Sequence, residues 1–395
     1  MKTIDDISFK NKRALIRVDF NVPLNEKFEI TDKTRIIAAE STIKKILADG
    51  GSVVLMSHLG RPKGGPEHKF SLKHLVADLS ERFSTKVIFA DDCIGEAAEK
   101  LSSELKPGEI LLLENLRFYK EETAGDVDFA EKLAKHGDIY VNDAFGTAHR
   151  AHASTSIIAR FFKDKVCGYV MAAELANADK VLKKADKPFT AIMGGAKISD
   201  KIQVVERLLD VVDNLIIGGG MSYTFSKAMG GNIGKSLCEN DKLDLALSIM
   251  EKAKQKGVNL MLPLDTVQAS DFSNDAEKNT VKAGNIDDAW EGLDIGPETV
   301  AYFSKVIEGS KTILWNGPMG VFEFPEFAKG TIAVAESVVK ATLNGGFSLI
   351  GGGDSASAIN NLGYGEKVSY VSTGGGALLE YMEGRELPGV AALKE

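Results

Sequence analysis

Short apolar runs separated by helical patterns recur along the whole chain, and this alternation constrains the fold more than any other feature. Five such runs lie in the first half and six in the second: ALIRVDF, SVVLM, KVIFA, EILLL and DIYVN, then FTAIM, NLIIG, NLMLP, TILW, FSLIG and VSYVS. Strands that alternate with helices predict βαβ units and parallel sheets. The predicted fold is therefore α/β, with doubly wound parallel-sheet, Rossmann-like lobes.

Length and residue distribution both favour two lobes. The chain has 395 residues, more than the roughly 250–300 at which a single core stops growing. Eight of the ten arginines precede Phe161, whereas 29 of the 39 glycines follow it. The charged, Ala-rich segment 171–188 lies between the two halves and predicts a helix that joins the lobes and ends before Pro188.

Composition narrows the classes of function. A net charge of −8 with 44% apolar and 26% charged residues argues against a general nucleic-acid binder. Cys93, Cys167 and Cys238 lie far apart with no C-x-x-C pair, so neither a disulfide framework nor a cysteine zinc site is expected. The N-terminus lacks an apolar h-region, and no stretch of about 18 apolar residues occurs. We therefore predict a cytoplasmic protein without membrane contact.

Polar and basic residues follow the strand runs of the first half. In RVDFNVP, Arg17, Asp19 and Asn21 alternate with apolar residues, which predicts a strand with one polar face. Basic residues also follow later runs or open the next helix: His58, Arg61, Arg117, His149, Arg150, His152 and Arg35. The carboxyl ends of parallel strands meet at one sheet edge, and guanidinium groups bind carboxylate and phosphate bidentately. The pattern predicts a site for a small molecule bearing both groups.

The other histidines give no metal-binding spacing and are expected on the surface: His68, His74 and His136.

Four glycine clusters follow predicted strands in the second half: GGAK, GGGM, GGGDS and STGGGA. Glycine turns between strand and helix let backbone N–H groups face phosphate oxygens, so we predict a nucleotide site. Lys197 and Lys201 are four residues apart and are expected on one helix face beside a glycine turn. Asp354 is a candidate for Mg²⁺ binding, for a helix N-cap, or for both. Glu323 could accept hydrogen bonds from ribose hydroxyls.

Two other functions compete with this interpretation. GGGDSA fits the G-x-G-x-x-A pattern of an NAD-dependent oxidoreductase, although the acid expected about 20 residues later is missing. The arginines alone would suit a two-lobed anion-binding protein without catalysis, which the second, lysine-and-glycine site disfavours. GGNIGKS resembles a P-loop, but Met229 stands where the first glycine is required.

The chain resembles the phosphoglycerate kinase family in nine motifs that occur in that family's order: LIRVDFNVP, SHLGRP, LLLENLRF, VNDAFGTAHRAH, GGAKISDK, LIIGGGM, WNGPMGVFE, GGGDS and STGGGA. The resemblance implies a 3-phosphoglycerate-binding lobe over 1–170, a connecting helix over 171–188 and a nucleotide-binding lobe over 189–373. A C-terminal segment, 374–395, would return to the first lobe. The implied reaction is the glycolytic, reversible, Mg²⁺-dependent transfer from 1,3-bisphosphoglycerate to ADP, by hinge closure of a monomer.

The resemblance also implies the site residues. For 3-phosphoglycerate they are Asp19, Phe20, Asn21, Arg35, His58, Leu59, Gly60, Arg61, Arg117 and Arg150. For ATP or ADP they are Gly195, Lys197, Lys201, Gly219, Gly292, Asn316, Glu323, Gly352, Gly353, Asp354 and Ser355, with Asp354 on Mg²⁺. The implied catalytic residues are Arg35, Lys197, Gly353 and Gly375. The acceptor carboxylate is already ionised at neutral pH, so no general base is expected.

Overall fold

The computed structural model describes residues 1–394, which divide into two compact units. Unit 1 contains Met1–Ala176 and the chain from Arg385 onward, and unit 2 contains Asn177–Gly384. Among the described residues, no helix combines the length and the apolar character that a membrane crossing needs.

Unit 1 is built on a parallel sheet that has six strands within the described chain, in the order β3-β4-β2-β1-β5-β6. The strands are β1 (Arg13–Arg17), β2 (Ser52–Met56), β3 (Val87–Ala90), β4 (Ile110–Leu113), β5 (Ile139–Asn142) and β6 (Lys165–Cys167). The helices are α1 (Thr34–Ala48), α2 (Val76–Arg82), α3 (Glu96–Ser103), α4 (Lys120–Ala124), α5 (Val127–Ala134) and α6 (Tyr169–Lys183). The helix predicted over 171–188 is α6, and the chain passes from unit 1 to unit 2 within it.

Burial on both faces explains why the sequence shows these strands so clearly. Every residue of β2 and β4 is buried, as expected for parallel strands covered by helices. β1 is shorter than predicted and ends at Arg17, opposite the last residues of β2 and β5. Val18, Phe20 and Val22 continue into the core beyond the strand. The predicted polar strand face is therefore wrong, because Asp19 and Asn21 belong to the loop after β1.

Unit 2 is built on a second parallel sheet, which in the described chain runs β10-β8-β7-β15-β16-β17. Its strands are β7 (Phe189–Met193), β8 (Asn214–Ile217), β10 (Asn259–Met261), β15 (Thr312–Asn316), β16 (Phe347–Gly351) and β17 (Tyr370–Val371). The helices are α7 (Ile202–Leu208), α8 (Met221–Ala228), α9 (Leu243–Gln255), α10 (Pro297–Glu308), α11 (Lys329–Leu343), α12 (Gly353–Asn361) and α13 (Gly376–Met382). The predicted α/β class with two parallel sheets is confirmed.

Two small sheets, which were not predicted from the sequence, complete unit 2. They contain β9 (Asn232–Ile233), β11 (Asp265–Ala269), β12 (Lys278–Lys282), β13 (Asn285–Ile286) and β14 (Glu291–Ile295). β11 pairs with β12 and β14 in an antiparallel sheet, and β9 pairs with β13. The antiparallel sheet contributes β14 to the lining of a pocket in unit 2.

The C-terminal segment rejoins unit 1. Its last helix is α14 (Pro388–Ala391). The Gly389 amide donates to the carbonyl of Ala148 (2.8 Å), and Nδ2 of Asn142 donates to the carbonyl of Gly389 (3.3 Å). The segment thus packs against the loop that follows β5.

Of the three histidines expected on the surface, His136 contradicts the prediction and His74 agrees with it only in part. His136 is fully buried, and its ring nitrogens lie 2.9 Å from Oγ of Ser102 and 3.0 Å from the carbonyl oxygen of Cys93. Because both nitrogens are hydrogen-bonded, the ring is tolerated in the interior. His74 is half-buried and stacks on Phe28, whereas His68 is exposed.

Candidate functional site

Basic side chains of unit 1 collect at the carboxyl edge of its sheet. A pocket of about 560 Å³ lies there, and all its charged lining residues are basic. The basic residues that line it are Arg61, Lys63, Arg117, Lys120, Arg150 and His152. Five of these side chains are permanently charged arginines or lysines, and within the described residues none of the five forms an ion pair. Such side chains repel one another, which is typical of a site that binds an anion.

The loop after β1 carries the polar side chains next to this edge. Nη1 of Arg35 lies 3.1 Å from Oδ2 of Asp19 and donates to the carbonyl of Asn21 at 3.1 Å. Oδ1 of Asn21 accepts a hydrogen bond from the Gly60 amide at 2.8 Å. The structure therefore brings together Asp19, Asn21, Arg35 and the loop after β2, as the sequence analysis expected of residues at neighbouring strand ends.

Asn115, which was not singled out from the sequence, fixes two loops: the one after β2, with the predicted residues Leu59 and Gly60, and the one after β4, with Arg117. Its Nδ2 donates to the carbonyl of Leu59 (2.7 Å), and its Oδ1 accepts from the amides of Leu59 (3.2 Å) and Arg117 (3.0 Å). Nη1 of Arg117 in turn donates to the carbonyl of Gly60 at 3.0 Å. The only signal in the sequence is a polar residue placed shortly after the fully apolar run ILLL.

Phe20 and Leu59 were also expected at the 3-phosphoglycerate site, but they are buried apolar residues. Both side chains lie in the core of unit 1, so only their backbone groups can face a ligand. The Phe20 amide already donates to Oγ of Ser57 at 2.9 Å. By contrast, Arg61 and Arg150 have exposed side chains.

Arg17, expected on a polar strand face, is fully buried. Its Nε donates to Oγ of Ser154 (2.8 Å), and its Nη2 lies 3.2 Å from Nδ1 of His58. Because a guanidinium can only donate, Nδ1 of His58 must accept, and the ring proton lies on Nε2. Burial, followed by the charge of Arg17, holds the pKa of His58 well below its ordinary value. His58 is therefore a neutral donor.

We expect His58 to stay neutral with its proton on Nε2 over about pH 5–8, the range in which an ordinary histidine titrates. Long-range ¹H–¹⁵N NMR should show an unprotonated Nδ1 throughout this range. The exposed His68 gives the internal control signal in the same spectra. Protonation of Nδ1 of His58 near pH 6 would contradict the hydrogen bond from Arg17.

Two polar atoms of the basic pocket lack a protein partner within residues 1–394: Nε of Arg117 and Nδ1 of His152. Buried polar groups are normally hydrogen-bonded, so these atoms indicate a place for a ligand or water. Burial, together with Arg17 and Arg150, lowers the pKa of Arg117 to about 10. A bound anion would relieve this strain on the charged form.

Unit 2 contains a pocket of about 440 Å³ with two different walls. One wall is formed by the turns after β7 and β8 and by the start of α12, which contribute Gly195, Gly219 and Asp354. The other wall comes from the antiparallel sheet and the residues next to it, with Phe272, Glu291, Gly292 and Leu293. The loop after β15, with Glu323, also lines the pocket.

Lys201 joins two of the turns at the first wall. Its Nζ donates to the carbonyl oxygens of Gly194 and Asn316, the latter at 3.1 Å. Gly195 has φ +99°, a left-handed conformation that favours glycine. Burial lowers the pKa of Lys201 to about 8, although Asp354 and Asp200 act in the opposite direction.

The expectation that Lys197 and Lys201 lie on one face of a helix is wrong. Lys197 is exposed in the turn after Gly195, and α7 begins only at Ile202. The Gly195 amide donates to the carbonyl of Pro318 (3.1 Å), and the Gly195 carbonyl accepts from the Met221 amide (2.9 Å). These bonds to neighbouring turns hold the backbone out of a helical conformation.

The start of α12 carries the other predicted phosphate-binding groups. Gly352 occupies its N-cap position with φ +89°, so the N-cap role considered for Asp354 is wrong. Asp354 instead lies exposed in the first turn. Oγ of Ser355 is buried and accepts from the Gly317 amide at 2.6 Å. A side-chain carbon at Gly353 would meet no atom within 4 Å, which leaves room for a ligand against its backbone.

Asn316 presents a donor toward the same turn. Its Nδ2 is buried and has no partner within residues 1–394, and a Cβ at Gly352 would lie 2.9 Å from it. Gly375, the last predicted catalytic residue, occupies the N-cap position of α13 with φ +51°. The structure thus groups Gly195, Gly219, Gly292, Glu323 and Asp354 in one pocket, with Lys201 and Asn316 behind its glycine turns.

Comparison with known proteins agrees with these features. The profile of the family described as phosphoglycerate kinase matches residues 4–385. The chain is 53% identical over 418 residues to the phosphoglycerate kinase of Porphyromonas gingivalis, covering 99% of this chain and 100% of that protein. Its structure is similar to that of phosphoglycerate kinase from Coxiella burnetii, with a TM-score of 0.89, 40% identity, and coverage of 99% and 98% of the two chains.

The structure of phosphoglycerate kinase from Pyrococcus horikoshii OT3 is also similar, with a TM-score of 0.86 at 30% identity over 100% of this chain and 98% of that one. By sequence and by structure, the chain belongs to the phosphoglycerate kinase family and is a phosphotransferase.

Proposed function

We propose that the chain transfers a phosphoryl group reversibly between 1,3-bisphosphoglycerate and ADP, giving 3-phosphoglycerate and ATP. The observation that carries the proposal is that each unit has its own anion site at the carboxyl edge of its parallel sheet. Each site retains a buried donor without a partner among the described residues, Nε of Arg117 in unit 1 and Nδ2 of Asn316 in unit 2. Family membership disfavours both the NAD-dependent oxidoreductase and the non-catalytic anion binder.

The basic pocket of unit 1 would hold 3-phosphoglycerate, which carries both a phosphate and a carboxylate. Guanidinium groups pair bidentately with either group, and Arg61, Arg117 and Arg150 offer them from three different loops. His58 adds a neutral Nε2–H donor. Asp19 and Asn21 can accept from the substrate hydroxyl, while Phe20, Leu59 and Gly60 contribute backbone only.

The pocket of unit 2 would hold ATP or ADP. Its phosphates would lie against the turns at Gly195 and Gly219 and the first turn of α12, from Gly352 to Ser355, where backbone N–H groups and the helix N-terminus favour negative charge. Lys201, Lys197 and Asn316 would donate to the same oxygens. Glu323 would accept from the ribose, and Gly292 lies at the opposite wall.

Mg²⁺ fits the residues that line the nucleotide pocket. Within residues 1–394 there is no group of three or more His, Cys, Asp and Glu that could hold a metal ion. Asp354 supplies one exposed carboxylate in the nucleotide pocket. Mg²⁺ commonly takes one or two carboxylates together with substrate phosphates, and it would neutralise charge on those phosphates.

The mechanism would rest on alignment and charge neutralisation. The acceptor carboxylate is ionised at neutral pH, so the chain needs no general base. Arg35 of unit 1 and Lys197 of unit 2 would flank the phosphoryl group in transit, and the backbone at Gly353 and Gly375 would stabilise its oxygens. Because the two substrates are held by different units, we propose that the units close during turnover and exclude water.

We propose that these roles follow the divisions expected from the sequence. Residues 1–170 would act as the acceptor domain and 189–373 as the nucleotide domain, with 171–188 as the connecting segment and 374–395 returning to the acceptor domain. We also propose a cytoplasmic monomer that binds small molecules and neither nucleic acid nor membrane. Of these properties, the net charge of −8 supports the lack of general nucleic-acid binding.

An assay that couples ADP formation to a spectroscopic signal would test the proposed function. The intact chain with Mg-ATP should form ADP when 3-phosphoglycerate is present. Glycerate, which lacks the phosphate, and glycerol 3-phosphate, which lacks the carboxylate, are the control acceptors and should give little turnover. Equal rates with all three compounds, or no ADP with any of them, would refute the proposal.

Nucleotide affinity should depend on pH through Lys201. In the ligand-free chain the pKa of Lys201 is about 8, so its charge is present below this pH and is lost above it. Phosphate favours the charged form, so binding should draw in a proton, and Mg-ADP affinity should fall by up to roughly tenfold per pH unit above about pH 8. Calorimetry over about pH 7–9 would measure this fall. The control variant is Lys201→Arg, whose side chain stays charged, so its Mg-ADP affinity should depend less on pH. If the affinity of the unaltered chain depended on pH as little as that of the variant, the prediction would be contradicted.

A further inference from the structure

We propose that Glu291 determines the nucleobase preference of the nucleotide pocket, by accepting a hydrogen bond from the exocyclic amino group of adenine and disfavouring guanine. This inference rests on the proposed function, since it requires that ADP or ATP occupies the pocket in unit 2.

The two walls of the pocket set the orientation of the nucleotide. The first wall presents glycine turns, a helix N-terminus and Lys201, which attract phosphates. The base must then face the second wall, which comes from the antiparallel sheet. Phe272 is 57% exposed and Leu237 is 60% exposed, although both are large apolar side chains that line the pocket. A planar base between such surfaces would remove them from water.

Glu291 lies on this second wall as the first residue of β14, opposite Ala269 of β11. It lines the pocket and is half-buried. The backbone on either side is fixed, because the Lys235 amide donates to the carbonyl of Trp290 (2.7 Å) and the Gly292 amide donates to Oγ of Ser236 (2.8 Å). The carboxylate therefore projects from a rigid strand end.

The Glu291 carboxylate is available to a ligand. Within residues 1–394 it makes no hydrogen bond or ion pair. Burial, followed by the charge of Asp271, raises its pKa, and Lys235 acts in the opposite direction. A ligand donor would therefore stabilise the charged form of a carboxylate that has no partner among the described residues.

The donors of the nucleotide match the carboxylates of the pocket. Apart from its phosphates, ADP has hydrogen-bond donors only at the ribose hydroxyls and at the amino group of adenine. Three acidic residues line the pocket: Asp354, Glu323 and Glu291. Asp354 is on the first wall, where the phosphates would bind. Glu323 is on the loop that follows β15. Glu291, on the opposite wall, is left for the amino group.

A carboxylate at this position distinguishes the bases because it can only accept. Adenine presents an amino donor at the position where guanine and hypoxanthine present a carbonyl oxygen. In the same orientation, that oxygen would face the carboxylate with two acceptors opposed, so specificity would come from attraction to one base and repulsion of the other.

Calorimetry with Mg-ADP, Mg-GDP and the diphosphate of purine riboside, which lacks the amino group, would test this role. The unaltered chain should prefer ADP over both by roughly 10- to 100-fold, the range expected for a hydrogen bond to a charged group. In Glu291→Ala the preference should collapse to within a few-fold. In Glu291→Gln, whose amide can also donate, GDP should gain affinity. Glu298→Gln, an exposed glutamate outside the pocket, is the matched control and should leave the preference unchanged.

Thermal melting would confirm that each variant is folded. An unchanged preference for ADP in folded Glu291→Ala, or a preference for GDP in the unaltered chain, would overturn the role of Glu291 while leaving the proposed function intact. Failure of the unaltered chain to bind any of the three nucleotides would instead refute the proposed function, and the role of Glu291 with it.

Discussion

Arg35→Ala should lower turnover by roughly 10³-fold or more, whereas Mg-ADP affinity should change by no more than about twofold. Arg35 belongs to unit 1, where Nη1 makes the contacts to Asp19 and to the carbonyl of Asn21. Within residues 1–394, Nε and Nη2 of Arg35 have no hydrogen-bond partner, so they are available to the phosphoryl group in transit. Steady-state kinetics and calorimetry would measure the two effects.

The matched control for this prediction is Arg160→Ala. Arg160 is an exposed arginine of unit 1 that does not line the basic pocket, so its loss should leave turnover within about twofold of the unaltered rate. A variant of Arg35 with near-normal turnover and lost nucleotide affinity would contradict the assignment.

Asp354→Asn should weaken Mg-ADP binding by at least roughly tenfold, the scale on which changes around a metal site reduce its affinity. Binding of 3-phosphoglycerate should not change, because that ligand is assigned to unit 1. Metal-free ADP should bind no more weakly than to the unaltered chain, since the variant removes a negative charge near the phosphates. Calorimetric titrations with and without Mg²⁺ would separate these effects.

Asp200→Asn is the control for the electrostatic part of this change. Both aspartates raise the pKa of Lys201, but only Asp354 lines the nucleotide pocket. An Mg²⁺-dependent loss in Asp354→Asn alone would support a metal role for Asp354. Unchanged Mg-ADP binding in that variant would refute it.

The parallel sheets could be predicted because their strands are buried on both faces and read as apolar runs, as in β2 and β4. The antiparallel sheet could not be predicted from the sequence, because β12 is largely exposed and has the polar sequence KNTVK. β6 has only three residues, too few to show a pattern, and is recognisable only from its pairing with β5. Periodicity therefore revealed the sheets that organise the fold and missed one that lines a pocket.

The residues of the candidate site could likewise be predicted only in part from the sequence. Arg61, Arg117 and Arg150 could be predicted to converge because strand ends meet at one edge of a parallel sheet. The role of Asn115 in fixing these loops could not be predicted, because it depends on hydrogen bonds to Leu59 and Phe70, which are distant in sequence and come close only in the folded chain. Helical spacing failed for Lys197 because bonds from neighbouring turns, rather than local propensity, decide the conformation there.

The central claim, phosphoryl transfer onto the carboxyl group of 3-phosphoglycerate, is tested most directly by trapping the product. The intact chain would be incubated with Mg-ATP, 3-phosphoglycerate and hydroxylamine, which converts an acyl phosphate to a hydroxamate. We predict that ADP and the hydroxamate form in equal amounts, and that neither forms when 3-phosphoglycerate is omitted. Formation of ADP without hydroxamate, or of neither compound with all components present, would contradict the claim.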